Sequence, residues 1–590
     1  MASYYHLGVL AASLLFLPLA PKAIPAGMEP QLAVLAVLAA SIGLPYLVLA
    51  STGPLLQSWF HEQFPGESPY RLYSLSNIAS MLALGSYPFL IEPLLTLSEQ
   101  RLVWSAGYAV YVGCAMWCAW GHRAATACHT RLETSVGWGE AAWWLGLSAA
   151  GSVILLATTN QMCQEVASTP FLWVLPLAIY LVTFILAFGE GRWYNRALYS
   201  RALAVMVPAA CAVSVMGLTL PVTVHIVVFS AALFVCAMAC HAELALARPD
   251  PTRLTYFYLA IAAGGAIGGA LVALGAPLVF TSYLEFPLGL SLCCLLVMMR
   301  SLAGGNWRDA SIPLHKRIAP VAGLLLATLI PLAFLPEGNE PLTTSTFRNF
   351  YGVLRFRERN SAAGMQREMR HGHTNHGFQF LDVKKRWWPT SYYGHASGIG
   401  EALDGLARPA KIGVIGLGAG TLAAYGRAGD EMRFYEINPD VIQLSKNYFT
   451  FQRGSAAKIT VIEGDARMRL EQEVRSLGLD LLAVDAFSSD AIPSHLLTRE
   501  CADIYRRHLK PGGVLAIHIS NHSLDLEPVV RGMAVHLEMQ ARRVDSGESP
   551  QLGTSEASWM LLTAGSGPVT GRKIFWTDDF VSLWQVMRWR

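Results

Sequence analysis

A series of long apolar stretches fills the first 336 residues and limits the fold of that half more than any other feature of the chain. A bilayer core takes about 20 apolar residues per helix. That window predicts about eleven spans, near 6–20, 31–50, 73–91, 102–120, 141–158, 170–188, 202–217, 221–240, 254–276, 284–299 and 318–335. Asp, Glu, Lys and Arg are sparse up to about Pro336 and return to ordinary density from Arg348. Over the whole chain charged residues make up 14% and hydrophobic ones 53%, against roughly 25% charged in an ordinary soluble protein. Residues 1–336 therefore read as a polytopic α-helical membrane domain whose partner is the lipid bilayer. The run 4–20 lacks a basic n-region and leads into further apolar segments, which predicts a first membrane helix, not a cleaved signal.

Gly264 with Gly268, and Gly265 with Gly269, form two overlapping GxxxG pairs, which predict close approach of another helix. Ser74, Asn77, Glu92, Asn160, Gln161 and Glu165 lie within or at the ends of spans, and a solute path lined by them is one reading of this half. Nine of the ten cysteines lie in or beside the apolar half and only Cys501 in the polar half, so no disulfide framework is expected there and a reducing compartment fits. A formal net charge of +3 gives no reason to propose nucleic acid as a partner, while a homo-oligomer stays open.

Beyond 336 the pattern changes. Short alternating runs, 350–356 and 377–383, predict a small antiparallel sheet within a segment 337–388 that begins as a linker. A βαβ rhythm follows over 389–565: strands at 411–415, 433–435, 458–462, 479–484 and 514–519, a helix after Gly420, one from Pro439 and one at 496–508. Such alternation predicts a doubly wound, Rossmann-like parallel sheet. The aromatic tail, 566–590, reads as a docking helix or an interfacial segment.

Gly416-Leu-Gly418-Ala-Gly420 follows the first strand of that sheet, where glycines let the backbone approach a nucleoside. The spacing is GxGxG, not the dinucleotide GxGxxG. Glu436 ends the second strand, where a carboxylate accepts ribose hydroxyls, and Asp465 follows the third, where it can accept from an adenine amino group. A pyrophosphate needs no such anions, whereas a sulfonium cation welcomes them, so S-adenosyl ligands outrank NAD; the competing reading is that both residues cap the next helices. Asp485 ends the fourth strand and faces the reacting part of the substrate, placed as a base that takes a proton from an attacking amine. His371, His373, His376 and His395 invite a metal reading, but no cysteine or carboxylate at metal spacing accompanies them, and no metal is expected.

Gly416-Leu-Gly-Ala-Gly-Thr421, Tyr435-Glu-Ile-Asn-Pro-Asp440, Gly464-Asp-Ala-Arg467, Val484-Asp485 and Leu509-Lys-Pro-Gly-Gly513 resemble the polyamine aminopropyltransferases, spermidine synthase and its relatives, over about residues 347–565. Pro170-Phe-Leu-Trp173 and Leu254-Thr-Tyr-Phe-Tyr258 resemble membrane proteins that join a transporter-like half to a spermidine synthase-like one. The resemblance implies an S-adenosylmethionine-dependent transferase fold, with S-adenosylmethionine or its decarboxylated form as co-substrate and an amine or polyamine as acceptor. It implies that Gly416, Gly418, Gly420, Glu436, Asp465, Ala466 and Gln379 contact the co-substrate. Asp485 would be the base beside a Tyr-His pair, Tyr392 or Tyr393 with His395, and Asp490 a second acid for the substrate. One departure stands out: the synthases carry an acid in the glycine loop for the co-substrate's ammonium, and here Ala419 takes that place. Restoring an acid at 419 is therefore expected to shift preference toward the decarboxylated form.

Two alternatives differ in class: a methyltransferase sharing the nucleotide fold, and a transporter whose C-terminal domain senses S-adenosyl compounds. A multi-pass protein of the cell membrane is expected, with its soluble domain beside the cytoplasmic S-adenosyl pool. Loop arginines and lysines counted over eleven spans put that domain on the opposite side, and one miscounted short span removes the conflict.

Overall fold

The computed structural model describes residues 2–21, 28–64, 67, 69–125, 136–166, 172–189, 193–216, 220–250, 253–304, 344–361, 363–372, 374–486, 493–565 and 567–588. The chain forms two compact units, Met1–Val166 with Phe171–Leu335, and Ala167–Pro170 with Pro336–Arg590.

Helices occupy ten of the eleven apolar stretches of the first unit, and the eleventh, 318–335, lies outside the described residues. Seven are long and apolar enough to cross a membrane: Pro30–Gln63, Tyr70–Leu94, Leu97–Gly121, Trp138–Cys163, Arg196–Met216, Val222–Leu246 and Leu254–Val279. Tyr5–Phe16, Val174–Phe188 and Glu285–Met299 are apolar but shorter. At 1.5 Å per residue the 15 residues of Val174–Phe188 rise only about 22 Å.

The glycine pairs do what their spacing predicts, but unequally. A Cβ on Gly264 would lie 2.4 Å from the carbonyl oxygen of Leu145, and one on Gly268 the same distance from that of Ala149. Ser148 Oγ donates to the Ile261 carbonyl at 2.7 Å across the same seam. Gly265 and Gly269 face ordinary van der Waals gaps, so one pair makes the helix contact and the other borders it.

In the second unit β1 (Thr344–Asn349), β2 (Gly352–Ser361), β3 (Gly364–His371) and β4 (Thr374–Phe380) form an antiparallel meander. β5 (Lys411–Ile415), β6 (Glu431–Glu436), β7 (Lys458–Glu463), β8 (Leu479–Val484), β9 (Leu509–His518), β10 (Met539–Ser546) and β11 (Ala557–Ala564) form the second sheet, ordered β10-β11-β9-β8-β5-β6-β7. Its five central and flanking strands from β7 to β9 are parallel, and β11 and β10 close the edge antiparallel. Buried apolar runs such as Leu481–Val484 are what a strand covered on both faces requires. The chain runs outward from β5 through β6 to β7, then crosses back to β8 on the other side of β5. That reversal opens a crevice at the carboxyl ends of β5 and β8.

Two expected elements differ. After Gly420 the chain makes a five-residue 3-10 turn, Thr421–Tyr425, in place of a full helix, and Gly426 leaves it in an extended conformation. The tail is neither a docking helix nor an interfacial segment: Ile574, Trp576 and Val586 enter the core of the sheet, with a single 3-10 turn at Trp584–Val586.

Candidate active site

The crevice between β5 and β8 contains a cavity of about 230 Å³. Gly416 stands at its floor because Asp485 approaches there: a Cβ on Gly416, at φ +97°, would lie 2.3 Å from the Asp485 carbonyl oxygen. Gly418, at φ +53°, lies under the β3–β4 hairpin, where a Cβ would meet the His376 carbonyl oxygen at 2.4 Å.

One end of the cavity suits a nucleoside. Glu436 accepts from the backbone N–H of Leu417 at 3.0 Å and of Asn438 at 2.9 Å. Its carboxyl is held above its usual range by burial, although those N–H groups pull the other way. Ile437, Val441, Pro493 and Leu496 supply apolar walls. Ala466 lines the cavity beside Asp465, and Asp465 is already engaged. One of its oxygens caps the helix Ala466–Gln472 through Met468 N–H at 2.9 Å, and the other lies 2.9 Å from His495 Nε2. Burial alone would raise the Asp465 carboxyl; the His495 and Met468 hydrogen bonds bring it below its ordinary value.

The other end is built around Asp485, whose side chain is 3% exposed. Tyr393 donates its hydroxyl to Oδ2 at 2.5 Å, and His518 Nδ1 lies 2.7 Å from Oδ1. Burial, then the Asp485 charge, pushes the Tyr393 hydroxyl well above its normal range, so it stays a neutral donor. Tyr393 is held in turn by Tyr425, which donates to its carbonyl at 2.6 Å. Tyr392 also faces the cavity, but its hydroxyl goes to the Asn375 carbonyl at 3.2 Å, so Tyr393 is the residue that meets the carboxylate. Tyr351, His371 and His376 also line the cavity. His376 Nε2 is buried and finds no partner among the described residues, and burial with the neighbouring His371 pulls that imidazole down to about 3.

Three sequence expectations do not meet here. Gln379 is 2% exposed and absent from the lining; its amide bridges the Arg386 carbonyl and both Thr450 N–H and Oγ1, tying β4 to the turn that follows it and to the loop before the helix Phe451–Gly454. His395 lines a separate cavity of about 410 Å³ and pairs with Asp404 at 2.7 Å, so it is not the imidazole beside Asp485. Gly420 turns the loop against Ser445 and Gln452 instead of facing the cavity. Asp490 and His373 lie outside the described residues. Among the described residues no cluster of His, Cys, Asp and Glu could hold a metal. Sequence reasoning missed His518, His495 and Tyr351. His518 was within reach, since it ends β9 at the same carboxyl edge as Asp485.

No family model matches the chain. Over 112 residues the sequence is 34% identical to a polyamine aminopropyltransferase of Vibrio vulnificus (strain CMCP6). The C-terminal portion is spermidine synthase-like. That match takes in 18% of this chain and 37% of the relative, so the chain spans little more than a third of the curated protein it resembles. Among solved structures, a probable spermidine synthase from Corynebacterium glutamicum ATCC 13032 is similar at a TM-score of 0.28 and 20% identity, covering 37% of this chain and 79% of that one. Spermidine synthase from Thermotoga maritima gives 0.28 and 12%, covering 42% and 84%. A putative O-methyltransferase from Klebsiella pneumoniae gives 0.21 and 16%, covering 26% and 72%.

Proposed function

We propose that the C-terminal unit is a transferase acting on an S-adenosyl sulfonium, moving an aminopropyl group from decarboxylated S-adenosylmethionine to an amine or polyamine and releasing methylthioadenosine. The observation that carries it is Asp485, held by Tyr393 and His518 at one end of a cavity whose other end presents Glu436. Glu436 accepts the ribose hydroxyls; Ile437, Leu496 and Pro493 enclose the base, and Asp465 with His495 offers the polar edge for its amino group. Asp485 takes the proton from the acceptor ammonium. The freed nitrogen pair then attacks the carbon next to sulfur, the C–S bond breaks, and its electrons return to sulfur as a neutral thioether.

Ala419 supports a second reading. It is 1% exposed and does not line the cavity, so the glycine loop offers no acid to a co-substrate ammonium. Intact S-adenosylmethionine and methyl transfer are the alternative, and the product separates the two: methylthioadenosine for the first, S-adenosylhomocysteine for the second.

We further propose that the first unit is a multi-pass anchor in the cell membrane, since seven helices have the length and apolarity to cross, and that the transferase faces the cytoplasm, where its co-substrate is made. The test is product analysis with the full chain, S-adenosylmethionine or its decarboxylated form, and a panel of amines. Methylthioadenosine formed only with the decarboxylated donor and an amine is the expected outcome.

A further inference from the structure

His518 ends β9 with its ring pressed between two aromatic faces, Tyr392 at 4.7 Å and 25° and Trp559 at 4.6 Å and 17°. Trp559 Nε1 donates to the Tyr392 carbonyl at 3.3 Å and ties the two sides together. An imidazole stacked in this way can turn only in its own plane, and both of its nitrogens are engaged there. Nδ1 lies 2.7 Å from Asp485 Oδ1 and Nε2 2.9 Å from Ser520 Oγ. Ser520 Oγ already accepts the Ser558 N–H at 2.8 Å, which turns its own hydroxyl hydrogen toward Nε2. A carboxylate can only accept, so Nδ1 carries a proton and donates it to Asp485 Oδ1.

We propose that His518 is the positioning residue of the transfer: locked by the aromatic sandwich and by Ser520, its Nδ1–H holds Oδ1 so that the free lone pairs of Asp485 face the cavity. This rests on Asp485 being the base. Ser520, His518 and Asp485 stand in the order of a Ser-His-Asp relay. Ser520 is not among the cavity-lining residues, however, so it acts as the lock on the tautomer and not as a nucleophile. The titratable groups facing Asp485 are Tyr392 and Tyr393 from the turn before the first helix of the second unit, and His518 from β9. His371 and His376 from the β3–β4 hairpin and Glu436 from β6 line the same cavity.

Donors to a carboxylate favour its ionised form, so removing His518 has a consequence that mere packing would not produce. In detergent-solubilised full-length protein, His518→Phe keeps the stack and deletes both nitrogens, whereas His518→Asn keeps an amide N–H near the position of Nδ1. Infrared titration of the Asp485 carboxyl, assigned with Asp485→Asn, needs no turnover. For His518→Phe its midpoint is expected to rise by about one pH unit or more, and for His518→Asn to return toward the native value. In the transfer assay kcat is expected to fall about 10-fold or more for Phe with little change in KM, and Asn to recover part of it. Methylthioadenosine binding confirms that a variant is folded. If Phe does not fold, His518→Gln, whose amide reaches the Ser520 side and leaves Oδ1 without its donor, takes its place. A folded variant with an unshifted titration overturns the proposal. A native chain that makes no methylthioadenosine defeats the aminopropyl reading alone, since the infrared result still decides the role of His518.

Discussion

The backbone N–H of Ala419 donates to the His376 carbonyl at 2.9 Å, and its methyl fills the space above Gly377, where an added Cβ would meet it at 2.9 Å. The glycine loop and the β3–β4 hairpin are therefore zipped together at this point, and position 419 is sealed from the cavity. The sequence expectation that an acid here would pair with a co-substrate ammonium does not hold in this packing.

Ala419→Asp is accordingly expected to destabilise the second unit and not to retune its ligand. An overpacked, unpaired carboxylate costs about 1–3 kcal/mol or more. The thermal midpoint should fall by several degrees, and the affinity ratio of intact to decarboxylated S-adenosylmethionine should stay as it was. Differential scanning fluorimetry and competition binding read the two effects. A raised preference for the decarboxylated form without loss of stability would mean that the loop opens on binding.

Glu436 sets the acid limit of nucleoside binding. Burial raises its folded-state pKa above 4.5, so ionising it disfavours the empty site, and that penalty sets in as pH rises from 4.5 through the raised value. Ribose hydroxyls bind the ionised form. Methylthioadenosine affinity should therefore hold near neutral pH and fall as pH drops through that raised value, at a higher pH than an ordinary carboxylate would give. Glu436→Ala should weaken binding about 10-fold or more, since hydrogen bonds to a charged acceptor contribute roughly 1.5–3 kcal/mol. Calorimetry over pH checks both, and an unchanged affinity in the variant removes Glu436 from the site.

Much of this was legible in the sequence, for identifiable reasons. The bounds of β5 and β8 coincide with the expected 411–415 and 479–484, because their buried apolar residues, Ile412, Val414 and Ile415 in one and Leu481–Val484 in the other, end sharply at Gly416 and Asp485. Asp485 and Glu436 followed from one rule, that ligands lie at the carboxyl ends of such strands. The same rule covers His518, which was hidden because apolar residues flank it on both sides, Ile517 and Ile519, so the expected strand 514–519 ran past the residue at which β9 ends. Gln379 and His395 went astray because motif position says nothing about where an amide or imidazole points; Thr450 and Asp404 decide that. The tail's tryptophans and phenylalanines carried no helical period, and Trp576, 1% exposed, became core.

The placement of the transferase beside the cytoplasmic pool has its own observable. A reporter active only on the outer side of the membrane, fused after Arg590, should be silent, and one active only in the cytoplasm should be bright. The reverse pattern would agree with the arginine and lysine count over eleven spans and would require the co-substrate to be delivered across the membrane.

The most direct test of the central claim is the rate of methylthioadenosine formation by the full chain and by Asp485→Asn, with methylthioadenosine affinity measured alongside. Asparagine keeps the shape of aspartate but cannot take the amine's proton, so the rate should fall about 10²-fold or more, while the affinity, set at the Glu436 end of the cavity, changes little. Full activity in the Asn variant would contradict the assignment of Asp485 as the base, and with it the reaction proposed for this site.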